Sequence, residues 1–304
     1  MQNNIRKIET IAEMHKIRGL GSPLHPLVSL IDYSQTSVLP AHLGEHWNFS
    51  FYSIGLKRNV GTLRYGQKDY DFDNGLMSFI SPGQILSIEP NSRANLTPSG
   101  WLLLIHPDFL WNTTLARSIK KYPFFGYAIS EALFMSEKEE KIIEGILLNI
   151  KLEIENNLDN FSQNIIVSQI ELLLNYADRF YQRQFITRKK NNSEVLELVE
   201  ELLNAYFESE KITTEGLPTV AFIAEEMNLS PNYLSSLLKN LTGLNTQQII
   251  HQKLIEKAKE TLSTTTLSVS EVAFQLGFEH SQSFSKLFKS KTNQSPLEFR
   301  RSFN

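Results

Sequence analysis

The sequence predicts an α+β protein of two domains: an N-terminal antiparallel β barrel followed by helices, and an all-α C-terminal module with two helix-turn-helix motifs. Short apolar runs separated by Gly, Pro, Asn and Asp fill residues 27–105, and apolar residues at helical spacing follow after 107. One pattern of about twenty residues then occurs twice near the C-terminal end. These signals are typical of a small barrel or sandwich, of amphipathic helices and of paired helices, respectively.

The strand-like runs lie in the first third of the chain. Residues 47–54, 75–80, 84–88 and 100–105 are rich in aromatic and aliphatic side chains, and turn-forming residues separate them. Several short strands at such spacing indicate an all-β domain. The barrel is therefore predicted over about 27–105.

Helical patterns replace the strand-like runs after Pro107. Ser136 and Glu139 form the Ser-x-x-Glu pattern of a capping box, which predicts a helix from there to about residue 156. A second helix is predicted from about 160 to 183. With these helices at about 107–183, the first domain is predicted to span 1–186.

The second of these helices has a broad apolar face. Its members recur at helical spacing; they are Ile165, Ile166, Ile170, Leu173, Leu174, Ala177 and Phe180. The face is wider than one contact within a domain needs, and we expect it and its neighbour to form a homodimer. Packing of the same face on the barrel is the alternative.

A polar, basic stretch at 187–193 separates the two predicted domains. It has no apolar period, and it is therefore predicted as the linker. Ser193 is the predicted N-cap of a helix that runs from Glu194 to about residue 207. The second domain is predicted to span 194–304.

The repeated pattern meets the residue requirements of a helix-turn-helix. Ala224 and Ala273 occupy the position at which two steeply crossing helices touch. Asn228 and Gly277 occupy turn positions that need a positive φ. Apolar residues stand at matching positions on both sides of each turn. The sequence therefore predicts two copies of one structural unit.

The predicted units, at about 219–239 and 268–289, also share their flanking signals. Gly243 and Asn293 stand where left-handed caps should end the second helix of each unit. Apolar residues between the copies recur at helical spacing and predict one joining helix from about 247 to 262. Capping boxes open the neighbouring helices at Asn245–Gln248, Ser268–Glu271 and Ser295–Glu298.

Composition and charge restrict the function classes. The chain of 304 residues has no cysteine, which excludes disulfides, thiolate catalysis and cysteine-ligated zinc. The net charge of −3 does not favour nucleic acid, but residues 280–304 carry five Lys or Arg against one acidic residue. Such a local positive field favours contact with phosphate. No apolar run approaches the roughly 20 residues of a membrane span, and we expect a cytoplasmic protein without a membrane partner.

Five short segments of the C-terminal domain carry a family resemblance. They are 229–235 (LSPNYLS), 255–259 (IEKAK), 273–278 (AFQLGF), 284–289 (FSKLFK) and 295–300 (SPLEFR). With them the chain, over about 219–303, closely resembles the DNA-binding module of the AraC/XylS family of bacterial transcription regulators. The resemblance implies a seven-helix module with two recognition helices in successive major grooves.

The second helix of each unit should enter the major groove with its first outward residues against base edges. The candidates for base contact, which coincide with family positions, are Asn232, Ser235, Ser236, Ser281, Gln282, Ser285 and Lys286. The candidates for phosphate contact are Lys239, Lys253, Lys257, Lys289, Arg300 and Arg301. Many relatives carry Arg at the positions of Ser236 and Lys286. Without a guanidinium at Ser236, the first unit is expected to read bases weakly or through shorter groups.

A barrel, helices and a double helix-turn-helix together are similar in layout to AraC-type regulators. In those regulators a cupin-like barrel holds a small effector and a helix pair makes the dimer. The candidate effector-binding residues here are His42, His46, Trp47 and Tyr65. Core packing explains the aromatic residues equally well. A metal site from His42, His46 and His106 is an open alternative, but the closely spaced histidines of a cupin site are absent, and no metal or cofactor is predicted.

These observations predict a sequence-specific DNA-binding transcription regulator that a small molecule modulates. The sequence has no nucleophile motif, phosphate loop or metal quartet, and no enzyme activity is predicted. The expected partners are double-stranded DNA, a small-molecule effector, a second copy of the chain and, as a further candidate, RNA polymerase. The alternative is a cupin-type enzyme or small-molecule binder whose helical tail mediates protein contacts.

Overall fold

The structure is a computed structural model that describes residues 5–36, 46–58, 63–65, 68–70, 75–87, 99–128, 131–156, 159, 161–187 and 189–302. For 63–65, 68–70, 187 and 189–193 it describes the backbone alone. The chain divides into two compact units, Met1–Gln184 and Phe185–Asn304. Across the described ranges, none of the helices is both long and apolar enough to cross a membrane.

The described residues of the first unit form ten strands and four α-helices. The strands are β1 (Ile5–Ile8), β2 (Val28–Asp32), β3 (His46–Phe49), β4 (Tyr52–Arg58), β5 (Leu63–Tyr65), β6 (Lys68–Tyr70), β7 (Leu76–Ile80), β8 (Ile85–Ser87), β9 (Ser99–Ile105) and β10 (Leu133–Phe134). The helices are α1 (Ile11–Ile17), α2 (Leu115–Ser118), α3 (Glu137–Glu155) and α4 (Ser162–Thr187), which continues past the unit boundary.

These strands belong to three separate sheets. The largest has the order β10-β7-β4-β9-β2, and all its neighbours are antiparallel. A second sheet has the order β1-β3-β8, in which β1 and β3 are parallel, and β5 pairs with β6 alone. Because the described strands do not close on themselves, the predicted antiparallel barrel is not confirmed. Local alternation identifies strands, whereas contacts between distant segments decide how they pair.

One core cluster of the first unit joins residues of both larger sheets and α1. Trp47 and Phe49 of β3 pack in one cluster with Leu102 and Leu104 of β9, and α1 contributes Met14 together with its isoleucines. Burial of large apolar side chains is the main stabilising term of such a domain. Trp47, predicted as an effector-binding candidate, is a core residue with 0% exposure.

Helices α3 and α4 each bury one apolar face. The capping box of Ser136 and Glu139 is present at the start of α3, which confirms that prediction. On α4, Ile170, Leu173 and Leu174 are fully buried. The broad face that was predicted to form the dimer is therefore buried within one chain at these three residues, whereas Ile165 of the same face is 44% exposed, and the predicted dimer is not confirmed.

The second unit is entirely helical in its described residues. It contains seven longer helices and one single turn, α6, which confirms the predicted helical module. Helix α5 begins at Lys189, five residues before Glu194, and so includes part of the stretch predicted as a linker. The elements are α5 (Lys189–Glu208), α6 (Lys211–Thr214), α7 (Val220–Glu226), α8 (Pro231–Thr242), α9 (Thr246–Thr264), α10 (Val269–Gln275), α11 (Ser281–Thr292) and α12 (Pro296–Arg301).

Two hydrophobic clusters organise the second unit, one for each helix-turn-helix. The first includes Ile223 and Ala224 of α7, Leu234 of α8 and Ile250 of α9. The second centres on Phe284 with residues of α9, α10 and α11. Helix α9 thus contributes one end to each cluster, as expected for the predicted joining helix.

Candidate nucleic-acid interface

The two helix-turn-helix turns have the same backbone geometry. Asn228 and Gly277 both adopt a left-handed conformation, with φ of 52° and 79°. In the first unit the Leu229 N–H donates to the Ala224 carbonyl at 2.8 Å, and the equivalent bond from Phe278 to Ala273 is 3.0 Å. These bonds cap the last carbonyls of α7 and α10 and fix the angle at which the next helix leaves. The predicted turn positions are confirmed.

The recognition helices α8 and α11 end in matching ways as well. Gly243 and Asn293 are left-handed C-caps with φ of 80° and 61°. Thr242 and Thr292, the residues before them, donate their hydroxyls to carbonyls four residues back, at 2.8 Å in both helices. Side-chain and backbone caps therefore repeat together, and the sequence prediction of two equivalent units holds at the level of single hydrogen bonds.

Helix α8 presents few free polar groups at its N-terminal end. Ser230 caps the helix by accepting from the Tyr233 N–H at 3.2 Å. Asn232 is exposed, and Ser236 is half-buried. The Ser235 hydroxyl lies 3.1 Å from the hydroxyl of Thr246. Of the three predicted base-contact residues on α8, Asn232 is thus the one that is exposed.

Helix α11 presents a longer polar side chain and more charge. Gln282 and Lys286 are exposed, while Ser281 and Ser285 are half-buried. Ser283 is also exposed and lies three residues before Lys286, so both face the same side of the helix. Ser283 is not among the predicted base-contact residues, although its spacing from Lys286 places it on the same face.

The predicted phosphate-contact lysines fall into two groups. Lys239 and Lys289 lie exposed near the ends of the recognition helices. Lys253 and Lys257 on α9 are only half-exposed and lie beside acidic side chains: Lys253 is 4.0 Å from Glu256, and Lys257 is 3.4 Å from Glu260. Neighbouring carboxylates weaken the positive field that these two lysines can offer to a phosphate.

The two arginines of α12 differ from each other. Arg301 is exposed. Arg300 donates its Nε–H to the Leu262 carbonyl at 3.2 Å, near the end of α9, and one of its terminal nitrogens is buried. A cation at a helix C-terminus interacts favourably with the helix dipole. Arg300 therefore has a structural role in joining α12 to α9.

Positive charge near α12 also acts on Glu298. The pKa of Glu298 lies below its ordinary value, first because this carboxylate takes part in hydrogen bonds with the backbone and side chain of Ser295, and further because Lys289 and Arg301 are near. The Ser295 N–H donates to Glu298 at 2.7 Å, as the predicted capping box requires. A protein surface with a cation on each recognition helix and on α12 can attract a polyanion.

Two of the four predicted effector-binding residues, His46 and Trp47, are described with their side chains. His42 lies outside the described residues, and the side chain of Tyr65 is not described. His46 is half-buried on β3, and Trp47 lies in the core. No group of three potential metal-ligating residues occurs within the described ranges. The metal site considered for His42, His46 and His106 includes a residue outside the described ranges.

A cleft of about 230 Å³ does lie elsewhere in the first unit. Its walls are the 20–24 loop, strand β2 and the last turn of α3. His15 is buried at this cleft; its Nδ1 lies 2.8 Å from the Gly21 carbonyl and its Nε2 lies 2.8 Å from the Ser29 hydroxyl. Asp32, Lys151 and Glu155 also line it. Its residues come from three distant segments, and therefore no local sequence signal identified them.

Comparison with known proteins gives matches to the C-terminal part of the chain. Residues 223–302 match the family described as helix-turn-helix domain. The chain is 35% identical over 82 residues to the HTH-type transcriptional regulator YijO of Escherichia coli K12, which covers 27% of this chain and 29% of that protein. It is 36% identical over 81 residues to the arabinose operon regulatory protein of the same strain, covering 27% and 28%. The matches span less than a third of these relatives.

Among solved structures, the C-terminal domain of the response regulator yesN from Fusobacterium nucleatum is similar. It is 31% identical, and the alignment covers 35% of this chain and 98% of that one, with a TM-score of 0.32. The family match at 223–302 includes the residues that form the two turns, the two recognition helices and the joining helix. The C-terminal part of this chain therefore carries a helix-turn-helix domain.

Proposed function

We propose that the protein is a sequence-specific DNA-binding transcription regulator. The observation that carries the proposal is the duplication of one helix-turn-helix, with equal turn bonds and equal caps, on the two ends of α9. A single helical hairpin of this kind is common in protein cores, whereas two copies on one connecting helix present two recognition helices. The sequence relatives named as transcription regulators support the same function.

Helix α11 is proposed as the stronger base-reading element. Gln282 is suited to adenine and Lys286 to guanine in the major groove. On α8, by contrast, the Ser235 hydroxyl has a protein partner and Ser236 is half-buried. Phosphate contacts are proposed for Lys239, Lys289 and Arg301, with smaller contributions from Lys253 and Lys257, which lie beside carboxylates, and none from Arg300.

A small-molecule effector is proposed for the cleft at His15. Both nitrogens of this imidazole have partners, which fixes the ring within the cleft wall. Aliphatic and polar groups face the same space, including Leu20, Ser29 and Lys151. Binding sites for small molecules combine apolar walls with a few fixed polar groups in this way. The cleft replaces His42, His46, Trp47 and Tyr65 as the proposed effector site.

A homodimer is proposed through one face of α3 rather than through α4. Ile142, Leu148 and Leu152 are 40%, 41% and 59% exposed, although they are large and apolar. With Gly145, whose Cβ position is open, they form what we call the α3 stripe. The spacing of the four residues places them on one side of the helix. An apolar stripe of this kind is typical of a surface that a second helix covers.

Charge on α3 favours a second, antiparallel copy as the partner of the stripe. Lys141 and Glu155 are both exposed, and each lies seven residues from Leu148. Two copies related by a two-fold axis at Leu148 would therefore bring Lys141 of one chain near Glu155 of the other. Opposite charges on the flanks of a helical seam select partner and orientation.

RNA polymerase is proposed as a further partner if the protein activates transcription, since an activator must act on the polymerase. A gel shift with genomic fragments from around the gene tests the proposed function. We expect retention of at least one fragment, resistant to an excess of unrelated DNA. If unrelated DNA displaces the fragment equally well, or if no fragment is retained, the result favours the alternative of a small-molecule binder with a helical interaction tail.

A further inference from the structure

Helix α9 is not the only connection between the two helix-turn-helix units. The segment 206–216, which runs from the end of α5 through α6, lies against both of them. We call it the brace segment. Its contacts are made by two aromatic side chains, one lysine and the backbone around Gly216.

The brace segment contacts the first unit through α7. The rings of Tyr206 and Phe222 have centroids 5.1 Å apart in an edge-on arrangement. The ammonium of Lys211 lies 5.3 Å from the centroid of the same Phe222 ring. Aromatic pairs and cations over aromatic faces contribute beyond the apolar area that they bury. This end of the brace is therefore attached to the first helix of the first helix-turn-helix.

The brace segment contacts the second unit at the turn after α10. A Cβ at Gly277 would lie 2.5 Å from the Ile212 carbonyl oxygen and about 3 Å from backbone atoms of Gly216. The Tyr206 hydroxyl donates to the Gly216 carbonyl at 3.0 Å and so holds the far end of the segment. Backbone therefore packs on backbone here, and the approach is closer than any side chain at Gly277 would permit.

Phe207 connects the two contacts through the interior. Its half-buried ring packs against the cluster of the first unit and also against the cluster of the second. With α9 on one side and the brace on the other, the two units are held at two places. A single helix of 19 residues, about 28 Å long, can bend, whereas a closed ring of contacts resists bending and twisting.

We infer that the brace segment fixes the spacing and relative rotation of α8 and α11, and that Phe207 is a positioning residue for the choice of DNA by spacing. The inference rests on the proposed binding of DNA by both helices. One added base pair moves the second groove by about 3.4 Å and turns it by about 35°. If the brace segment holds α8 and α11 in place, α11 cannot move with the second groove. Without the brace segment, α11 can shift and rotate part of the way.

The test uses the full chain and a DNA duplex selected by the wild-type protein from a random-sequence library. Duplexes with one or two base pairs added or removed between the two protected segments form the comparison series. For wild type we expect a change of one base pair in spacing to lower the affinity at least about tenfold. A tenfold fall in affinity equals about 1.4 kcal/mol of binding free energy. For Phe207→Ala we expect a fall of less than about threefold over the same step.

Phe299→Ala is the matched control. Phe299 is also half-buried, and among the described residues it packs on the cluster of the second unit but is not part of the cluster of the first. Its loss should weaken binding to every duplex by a similar factor and leave the spacing profile unchanged.

Tyr206→Phe is a second variant, which removes only the hydroxyl that binds Gly216. It should broaden the spacing profile and so tests the inference even if Phe207→Ala does not fold. Two results would overturn the inference about the brace segment. One is a Phe207→Ala spacing profile as narrow as that of wild type. The other, if Phe207→Ala does not fold, is a Tyr206→Phe spacing profile as narrow as that of wild type. Absence of any selected DNA would instead overturn the proposed function.

Discussion

The Ser235 hydroxyl lies 3.1 Å from the hydroxyl of Thr246 and joins the recognition helix α8 to the first turn of α9. Thr246 is fully buried, which holds this contact away from solvent. A serine used in this way stabilises the position of α8 but offers less to a base edge. The equivalent residue of the second unit, Ser285, is half-buried, and exposed Gln282 and Lys286 lie beside it. We therefore expect the two units to differ in their capacity to read DNA.

The first prediction ranks the base-contact residues. Gln282→Ala and Lys286→Ala should each lower the affinity for the selected duplex by about 5- to 150-fold, because a good side-chain contact to a base contributes about 1–3 kcal/mol. Ser236→Ala should cost less than about threefold, because a short, half-buried hydroxyl loses little. The measurement is equilibrium binding to duplexes with single base-pair changes. Equal losses of discrimination in all three variants would contradict the ranking.

The second prediction compares two glycines with nearly equal backbone angles. Gly243 and Gly277 have φ of 80° and 79°. A Cβ at Gly243 meets no atom within 4 Å, whereas one at Gly277 meets the Ile212 carbonyl. Gly243→Ala should cost about 1–2 kcal/mol for the left-handed conformation. Gly277→Ala should cost about 1–3 kcal/mol more, because the backbone of the brace segment must move. Urea unfolding measures both; equal costs would mean that the close contact at Gly277 is absent.

The third prediction concerns assembly. Leu148→Glu should convert the protein to a monomer at micromolar concentration, because it places two carboxylates at the centre of the α3 stripe pair. Leu172→Glu is the matched control, since Leu172 is 43% exposed on α4 and Leu148 is 41% exposed. Sedimentation velocity distinguishes the two. A wild-type monomer, or a dimer that survives Leu148→Glu, would count against the α3 stripe. Leu173→Glu is unsuitable, because Leu173 is a core residue and its change would unfold the unit.

The fourth prediction concerns the cleft at His15. Gly21 lines the cleft, and a Cβ at Gly21 meets no atom within 4 Å, so Gly21→Leu should fill the space without disturbing the fold. A thermal-shift screen of a metabolite library against wild type should identify compounds that raise Tm in a concentration-dependent way. Gly21→Leu should lose those shifts while it keeps its own Tm and its affinity for DNA. Compounds that stabilise both proteins equally would exclude the cleft as their site.

The helical half of the fold could be predicted because its signals are local. Asn228, Gly277, Gly243 and Asn293 each mark a backbone conformation that few residues adopt, and the structure has them in that conformation. The start of α5 was missed, because residues 189–193 are polar and contain no apolar stripe, although helical hydrogen bonding does not require one.

The sheet half could be predicted only in part. Apolar runs correctly indicated β4, β7 and β9, but no run indicates that β1 and β3 are parallel neighbours. The burial of a residue also could not be predicted from its neighbours in sequence. Trp47 and Leu173 are core residues because segments far from them in sequence cover them. The hydrogen bond from Arg300 to the Leu262 carbonyl, 38 residues away, likewise has no local sequence signal.

Footprinting of the full chain on the selected duplex tests the central proposal most directly. If α8 and α11 both enter DNA from one chain, two major-groove segments should be protected on one face, about 10 base pairs apart. Lys286→Ala should weaken protection of one segment more than the other, and affinity should fall steeply between about 50 and 200 mM salt. Protection of a single segment, or affinity that does not change with salt, would contradict the proposal that one chain reads DNA with both helix-turn-helix units.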